Sequence, residues 1–330
     1  MADIQYDVVG IGNAIVDILG RCTDQFLVAQ GAAKGSMRLV DAETVRKLYD
    51  TMGPAVEISG GSVANTMVGI ASFGGRSAFI GKVAKDEFGG IFAHDIRAAG
   101  VTFTTPPDET GEPTARSLIL VTPDGERTMN TFLGVSPLLN QGEVDAKLIE
   151  AGSILYLEGY LFDRPEAKAA FRQAANIAVK AGRQVALSLS DSFCVERHRA
   201  EFLEFIRGQV DILIANESEI TALYQTKNFD DAARRVRVDA KLVVVTRSDK
   251  GSVVFADTKA TTIAPQPVRA VVDTTGAGDL YAAGFLFGLS AGKSLEICGR
   301  LGSLAASEAI SHMGARPEKP LAQLAAVNGL

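Results

Sequence analysis

The chain has 330 residues, of which 33 are basic and 39 acidic, so its formal net charge is −6 with the histidines neutral. Apolar residues make up 47% and charged residues 22%, a balance typical of a globular protein and not of a disordered one. The negative net charge argues against broad nucleic-acid binding, which requires a basic surface. We recognise neither a signal peptide nor a membrane span, so we predict a cytoplasmic protein without nucleic-acid or membrane partners.

The cysteines and histidines do not form a metal-binding pattern. Cys22, Cys194 and Cys298 are far apart, and no CxxC pair is present. This spacing is typical of a protein from a reducing compartment and argues against a thiolate zinc site. The three histidines also lack ligand spacing, which argues against a zinc hydrolase.

Short apolar runs typical of strands alternate with amphipathic helical patterns along the chain. The predicted strands are Tyr6–Ile11, Ser77–Val83, Ile154–Leu157, Gln184–Leu189, Asp211–Ile214 and Lys241–Thr246. The predicted helices are Glu87–Ala99, Pro165–Ala181, Val195–Arg207, Phe229–Val238, Ala277–Ser290 and Ser294–His312. This alternation predicts βαβ units and a largely parallel sheet covered on both faces. The length allows one large α/β domain or two ordinary ones.

Two segments, 18–41 and 101–135, interrupt the alternation. In the second, Ala115–Val121 and Arg127–Leu133 flank Pro123-Asp124-Gly125, which is a hairpin turn signal. We expect the two segments to form a small β-subdomain. It is either a lid that closes over a cleft and excludes water or an ordinary surface hairpin.

The most informative motif is Asp273-Thr-Thr-Gly-Ala-Gly-Asp279, which leads into an almost wholly apolar helical segment. Its small residues at 276–278 allow consecutive amides to point in one direction at a helix start, where they form an anion hole. Asp279, in the first helical turn, can accept a proton from an attacking hydroxyl group beside that anion. A plain helix cap needs only one such residue, so the pattern favours the functional interpretation.

Two glycine-containing turns carry candidate ligand-binding residues. Gly60-Gly61-Ser62 permits close approach of a small polar ligand, which Asn65 can hydrogen-bond one turn later. Gly12-Asn13, with Asp17 after it, follows the first predicted strand, where an amide and a carboxylate suit sugar hydroxyl groups. Structural turns are the rival interpretation of both segments.

Asn216-Glu217-Ser218-Glu219 follows another predicted strand. An asparagine with a glutamate three residues later is typical of a capping box, in which the two side chains close a helix start. Alternatively, Asn216 and Glu219 hold the water shell of a magnesium ion, which keeps several waters and needs few protein oxygens. The sequence leaves both interpretations open.

Taken together and in this order, the motifs resemble the ribokinase-like (PfkB) family of carbohydrate and nucleoside kinases. The resemblance runs from Gly12 to Gly314. It implies an α/β fold in a single domain over residues 1–330, a three-layer α/β/α sandwich with a mostly parallel central sheet and a small β-sheet lid. It also implies that ATP, with Mg²⁺, phosphorylates a hydroxymethyl group on a sugar or nucleoside.

The resemblance also implies roles for individual residues. Asp279 would be the general base, and the amides of the anion hole would stabilise the transferring phosphoryl group. The anion-hole residues are Gly276, Ala277 and Gly278. The residues for ATP and its magnesium are Asn216, Glu219, Thr246 and Gly251, with Ser248 in place of the first glycine of the family's TxGxxG. Asp273 and Thr275 would be the candidates for a monovalent cation such as K⁺.

The implied substrate-binding residues are Asn13, Asp17, Gly61, Ser62, Asn65 and Leu133. The spacing of Gly12-Asn13 and Asp17 is similar to that of the adenosine kinase branch. An apolar lid with Phe132 and Leu133, joined by Leu161 and Phe162, would suit a flat purine. We therefore predict a nucleoside kinase that acts on adenosine; the alternatives are a sugar kinase of the ribokinase or fructokinase kind and a nucleoside-binding protein without turnover. Relatives occur as monomers and homodimers, so the oligomeric state stays open.

Overall fold

The computed structural model describes residues 3–330. The strands are β1 (Tyr6–Ile11), β2 (Ile15–Arg21), β3 (Met37–Leu39), β4 (Ala55–Gly60), β5 (Ser77–Ile80), β6 (Thr102–Phe103), β7 (Ala115–Val121), β8 (Arg127–Phe132), β9 (Gly152–Glu158), β10 (Gln184–Ser188), β11 (Ile212–Asn216), β12 (Leu242–Thr246), β13 (Ser252–Ala256) and β14 (Lys259–Ile263). The α-helices are α1 (Asp24–Ala29), α2 (Ala42–Thr51), α3 (Ser62–Ser72), α4 (Glu87–Ala98), α5 (Ala146–Glu150), α6 (Pro165–Lys180), α7 (Ser192–Gln209), α8 (Glu217–Tyr224), α9 (Phe229–Asp239), α10 (Ala277–Ser290), α11 (Leu295–Ala309) and α12 (Leu321–Val327).

The larger sheet has nine strands in the order β14-β13-β12-β11-β10-β9-β1-β5-β6. Its strands pair in parallel from β12 to β6, and only β13 runs antiparallel to its neighbours β12 and β14. In the middle of this sheet, Val9 of β1 lies opposite Ala78 of β5 and Leu155 of β9. The near-continuous apolar runs of these strands are typical of parallel strands buried on both faces.

Successive residues of β1 contribute to two separate cores because side chains alternate across a strand. Val9 packs into a core with apolar residues of α6, α7, α8 and α9. Val8 packs into a second core with apolar residues of α3, α4, α10 and α11. Helices therefore cover both faces of the sheet, and the predicted three-layer sandwich is confirmed.

The smaller sheet has five strands in the order β3-β8-β7-β2-β4. β7 and β8 form the predicted hairpin, and Gly125 takes a φ of +87° in its turn. The apolar residues of this sheet, Val16 and Leu118 among them, join the core of the α3 and α10 layer. The second sheet therefore packs as a lid over one side of the sandwich.

The strands of the lid differ from the predicted segments at two places. β4 lies outside both segments and pairs with β2, because Ala55–Gly60 leads directly into the glycine turn before α3. β6 lies inside the segment 101–135 but extends the large sheet beside β5, since Phe103 is buried against Phe79 and Phe92. Among residues 3–330, no helix is long and apolar enough to cross a membrane.

Candidate active site

Polar residues lie at the carboxyl ends of four strands of the large sheet. Asn13 follows β1, Glu158 ends β9, Asn216 ends β11 and Thr246 ends β12. Parallel strands present these ends at one edge of the sheet, which is where open α/β sheets bind ligands. The helices α3 and α10 begin beside this edge and carry the two glycine-rich motifs.

Gly276 directly precedes helix α10 as its N-terminal cap, and its backbone adopts the left-handed conformation (φ +75°, ψ −2°). A side chain at this position would clash with Ala315, which packs against it from the segment after α11. Glycine is therefore required both for the conformation and for the close approach.

The start of α10 presents free amides. Within residues 3–330, the amide groups of Gly276 and Gly278 have no hydrogen-bond acceptor, whereas that of Ala277 donates to the Thr274 carbonyl at 3.3 Å. The space above Gly278 is open, since an added Cβ would meet nothing within 4 Å. Two of the three predicted anion-hole amides are thus available to an anion, with the helix dipole behind them.

Asp279 is held by the first turn of α3. The Ser62 hydroxyl donates to Oδ1 at 2.6 Å, and Nδ2 of Asn65 donates to Oδ2 at 2.9 Å. Burial raises the pKa of Asp279, although these two donors and the positive charge of Arg316 oppose the shift. A carboxylate with a raised pKa is a better proton acceptor than an ordinary aspartate, which suits a general base.

The turn before α3 depends on Gly61. Its φ is +99°, and a side chain there would clash with the carbonyl oxygen of Asn13. Asn65 is buried and its Oδ1 has no partner among the described residues. The same side-chain amide therefore donates to Asp279 through its nitrogen, while its oxygen has no donor among the described residues.

Glu158 binds residues on both sides of the same turn. Its Oε1 accepts the backbone amide of Asn13 at 2.8 Å and the Asn13 side-chain amide at 2.5 Å, and its Oε2 accepts the Val63 amide at 3.2 Å. The Ser136 hydroxyl donates to Oδ1 of Asn13 at 2.9 Å. Burial raises the pKa of Glu158 to about 7 against the effect of these donors. The Asn13 side chain is largely engaged within the protein, with one N–H left for a ligand.

Asp17 is the carboxylate that faces the cleft without a protein donor. It lies in β2 against Gly60 of β4, and within residues 3–330 no group donates a hydrogen bond to it. Burial raises its pKa to about 6, which Arg316 and Arg127 oppose and Asp279 reinforces. A carboxylate in this state is ready to accept hydrogen bonds from ligand hydroxyl groups.

Asp273 is already paired with a positive charge. Its Oδ2 accepts from Nη1 of Arg127 and, at 2.9 Å, from the Gly314 amide, while its Oδ1 accepts the Thr275 amide at 3.0 Å. Burial would raise the pKa of Asp273, but these donors outweigh it and the pKa is lowered. Asp273 and Thr275 do not fit a K⁺ site in this arrangement, because the guanidinium group already neutralises the carboxylate.

Asn216 and Glu219 form the capping box that the sequence offered as one interpretation. Oδ1 of Asn216 accepts the Glu219 amide at 2.9 Å, and Oε2 of Glu219 accepts the Asn216 amide at 2.9 Å. Burial, with the neighbouring charges of Asp191 and Asp279, raises the pKa of Glu219 to about 7. Such a concentration of negative charge favours a divalent cation, and the remaining lone pairs of these oxygens fit metal-bound waters.

The predicted nucleotide loop lies next to this pair, because Thr246 of β12 is opposite Asn216 of β11. Gly251 has a φ of +77°, and a side chain there would clash with the Ile263 carbonyl. Ser248 has a φ of +54°, the left-handed conformation that glycine adopts most easily. The serine therefore adopts a conformation that glycine reaches more easily, at some conformational cost.

The residues expected on an apolar lid separate into two groups. Leu133 directly follows β8 of the lid and is half-buried, next to the buried Phe132. Leu161 and Phe162 belong to the 3₁₀ turn Gly159–Asp163 and are fully buried in the other core, where Phe162 stacks on Phe202. The expectation that Leu161 and Phe162 are lid residues is therefore wrong, because their apolar surface is covered by the helices of the opposite layer.

The structure brings the two glycine-rich motifs together, and it adds three residues that the sequence analysis missed: Glu158, Arg127 and Arg316. Glu158 had a visible signal, since it is a carboxylate at the carboxyl end of an apolar strand. The two arginines had none, because neither belongs to a motif that indicates a binding site.

The sequence matches the pfkB family of carbohydrate kinases over residues 43–321. It is 53% identical to the solved adenosine kinase from Sinorhizobium meliloti over 99% of this chain and 100% of that chain, with a TM-score of 0.91. It is 48% identical to the solved probable sugar kinase from Rhizobium etli CFN 42 over 99% of each chain, with a TM-score of 0.92. It is also 31% identical to the probable chloroplastic fructokinase-6 from Arabidopsis thaliana over 83% of this chain and 71% of that protein. The chain therefore belongs to the PfkB family and is a kinase that phosphorylates an alcohol group.

Proposed function

We propose that the chain transfers the γ-phosphoryl group of ATP to the 5′-hydroxyl group of a nucleoside, with adenosine as the first candidate. The observation that carries this proposal is the position of Asp279, which Ser62 and Asn65 hold beside the free amides of Gly276 and Gly278. A proton acceptor and an anion hole are thus adjacent, as transfer of a phosphoryl group to a hydroxyl group requires.

In this mechanism, Asp279 accepts the proton of the acceptor's hydroxyl group while the oxygen of that hydroxyl group forms a bond to the γ-phosphorus. The bond between that phosphorus and the bridging oxygen of ADP breaks on the opposite side, so the products are ADP and the phosphorylated acceptor. The amides of Gly276 and Gly278 donate to the equatorial oxygens of the transferring group. Because these amides are fixed at a helix start, they need no reorganisation during the reaction.

PfkB kinases use ATP and Mg²⁺. In this chain, Asn216 and Glu219 would hold the metal-bound waters, and Thr246 and Gly251 would contact the nucleotide. When bound, the metal neutralises charge on the phosphate oxygens. We assign no role to K⁺, because Arg127 already pairs with Asp273.

The acceptor would be held from the lid side of the cleft. Asp17 has a carboxylate without a protein donor among the described residues, so it can accept hydrogen bonds from two ribose hydroxyl groups. Asn65 has a free amide oxygen that can accept a further one. Gly61 allows close approach, and Leu133 offers an apolar surface near the end of β8.

The preference for a nucleoside is supported by the 53% identity to an adenosine kinase over nearly the whole chain. A sugar kinase is the second candidate, because similar proteins bear the names probable sugar kinase and probable fructokinase. Both candidates use the same base and anion hole, so they differ only in the acceptor that binds beside Asp17, a nucleoside or a sugar.

The test is an ADP-release assay with ATP and Mg²⁺ against adenosine, inosine, guanosine, ribose and fructose, with an acceptor-free reaction as background. We expect turnover with adenosine at least tenfold above turnover with either sugar. Turnover with a sugar alone would reject the nucleoside proposal and retain the kinase. A melting-temperature series with the same compounds gives an independent check, since a ligand at about 100 times its Kd stabilises by about 2.7 kcal/mol.

A further inference from the structure

Arg316 lies between α11 and α12 and reaches across to the turn before α3. Its Nε donates to the Ser59 carbonyl at 2.9 Å, its Nη1 to the Ala64 carbonyl at 2.9 Å, and its Nη2 to the Ser59 hydroxyl at 2.8 Å. All of these acceptors are neutral, and no carboxylate among the described residues forms an ion pair with this guanidinium group. The positive charge of Arg316 is therefore not neutralised by direct contact.

The two carbonyl groups that Arg316 binds lie on either side of the glycine pair. Ser59 belongs to the end of β4, and Ala64 belongs to the first turn of α3. The glycines between them have no side chains, and Gly61 provides no side-chain cap for the helix. The guanidinium group thus joins the end of the strand to the start of the helix across the glycine pair.

The same first turn of α3 holds Asp279. Ser62 and Asn65 flank Ala64 in this turn and donate to the two oxygens of the Asp279 carboxylate. A shift of the turn would therefore move both donors away from the carboxylate. The Arg316 side chain forms no hydrogen bond or ion pair with Asp279 or with the amides of the anion hole, so we attribute its effect on the reaction to this turn and to its charge.

The charged groups that face Arg316 come from three elements. Asp95 of α4 accepts from the Ser59 amide at 2.8 Å and from the Ser59 hydroxyl, and Asp17 of β2 and Asp279 of α10 lie within electrostatic range. Arg127, the other cation near Asp17, is already paired with Asp273. Arg316 is thus the cation that offsets the mutual repulsion of the Asp17 and Asp279 carboxylates.

We propose that Arg316 is a positioning residue for phosphoryl transfer: it fixes the first turn of α3, through which Ser62 and Asn65 orient Asp279, and it supplies the positive charge that faces the Asp17 and Asp279 carboxylates. This inference rests on the proposed function, since it assigns to Asp279 the role of base. Burial favours the neutral form of both carboxylates. A nearby positive charge reverses part of that preference.

The experiment compares Arg316→Met with Arg316→Lys, which retains the charge but lacks the planar guanidinium group that reaches the two carbonyl groups through different nitrogens. The matched control is Arg199→Met, because Arg199 is also half-buried and its Nε also donates to a backbone carbonyl, that of Leu223 at 2.7 Å, away from the cleft. We expect Arg316→Met to lower kcat by 10- to 100-fold and to move the acidic limb of the kcat profile to higher pH. Arg316→Lys should lower kcat while the acidic limb stays near that of the wild type, and Arg199→Met should change neither.

A double-mutant cycle with Asp279→Asn separates this inference from the proposed function. If Arg316 acts through Asp279, Arg316→Met should lower kcat less than threefold in the Asp279→Asn background. An equal loss in both backgrounds, or an acidic limb that does not move in Arg316→Met, would overturn the inference. Near-normal turnover of Asp279→Asn alone would instead overturn the proposed base.

An activity-independent measurement completes the test. The loss of melting temperature in Arg316→Met should grow between pH 5 and pH 8, because Asp17 and Asp279 become charged without a compensating cation. In Arg199→Met the loss should stay constant over the same range. If the loss of melting temperature in Arg316→Met is the same at every pH, the charge of Arg316 has no effect on the two carboxylates and the inference is overturned. This measurement does not require that any acceptor is phosphorylated.

Discussion

The Ser62 hydroxyl group lies 2.6 Å from Oδ1 of Asp279, although the two residues are 217 positions apart in the chain. This hydrogen bond joins the start of α3 to the start of α10. The contact places the glycine turn next to the anion hole, so the position of the substrate-binding turn is fixed relative to the proton acceptor and the anion hole. Each of the following predictions depends on this arrangement or on a residue that supports it.

The first prediction concerns Asp279→Asn. The substitution keeps the shape of the side chain but removes the proton acceptor, so we expect kcat to fall by about 10²- to 10⁴-fold. Acceptor affinity, measured by calorimetry, should change less than threefold, because Ser62 and Asn65 remain in place. Asp230→Asn, at an exposed position in α9, is the control. A kcat within tenfold of the wild type would remove Asp279 from the role of base.

The second prediction concerns Asp17→Ala. Loss of the carboxylate leaves the hydroxyl groups of a bound nucleoside without acceptors, which typically costs about 1–3 kcal/mol of binding free energy. Calorimetric titration with adenosine and with ribose measures this directly. The thermal stability of the free protein should not fall, since no described residue donates a hydrogen bond to Asp17. Unchanged affinity for every acceptor would place the substrate elsewhere in the cleft.

The third prediction concerns the pH dependence of stability and Glu158. Burial raises the pKa of Glu158 from 4.5 to about 7, so the folded state keeps a proton that the unfolded state has released. The stability that this proton provides is fully present below about pH 4.5 and is lost as the pH rises through 7. Over this range the loss is on the order of 3 kcal/mol, from about 1.36 kcal/mol for each pKa unit.

Glu158→Gln remains neutral at every pH, so its free energy of unfolding should decline less steeply between pH 5 and pH 7.5. Chemical denaturation at several pH values gives the two slopes. Glu204→Gln, at an exposed residue that pairs with Arg172, should keep the wild-type slope. Equal slopes for wild type and Glu158→Gln would mean that Glu158 is already ionised in this pH range.

The sequence was sufficient to predict the sandwich, because strongly apolar strands and periodic helices determine it. Helix α10 was predicted with both its ends, Ala277–Ser290, and β1 and β7 with theirs. The strands β2, β13 and β14 were not predicted. The short strands β3, β4 and β6 were missed as well, since two to six residues of mixed polarity give little periodic signal. Their pairing is determined by tertiary contacts with β8, β2 and β5.

The candidate site was predicted where a motif is local and missed where a residue arrives from a distant segment. Asp279, Ser62 and Asn65 were predicted from two separate motifs, and their hydrogen bonds unite them. Arg316 is 252 residues from the Ala64 carbonyl that it binds, and nothing in its neighbourhood indicates that contact. Long-range pairs of this kind depend on the whole topology and leave no trace in local spacing.

The last prediction concerns Arg127 and the response to K⁺. Arg127 and Asp273 are both buried, and Nε and Nη2 of Arg127 have no partner among the described residues. The guanidinium group neutralises Asp273 at the point where a monovalent cation was expected. We therefore expect the kcat of the wild type to change less than twofold when K⁺ is replaced by tetramethylammonium.

Arg127→Gln should remove this neutralisation and leave Asp273 as an unpaired buried carboxylate, which typically destabilises a protein by about 3–5 kcal/mol. In this variant, K⁺ should restore part of the melting temperature, because the ion can then take the place of the guanidinium group beside Asp273. Arg127→Gln with Asp273→Asn should be more stable than Arg127→Gln alone and should not respond to K⁺. Strong K⁺ activation of the wild type would contradict this account, since it would require a cation to bind beside an arginine that already holds the carboxylate.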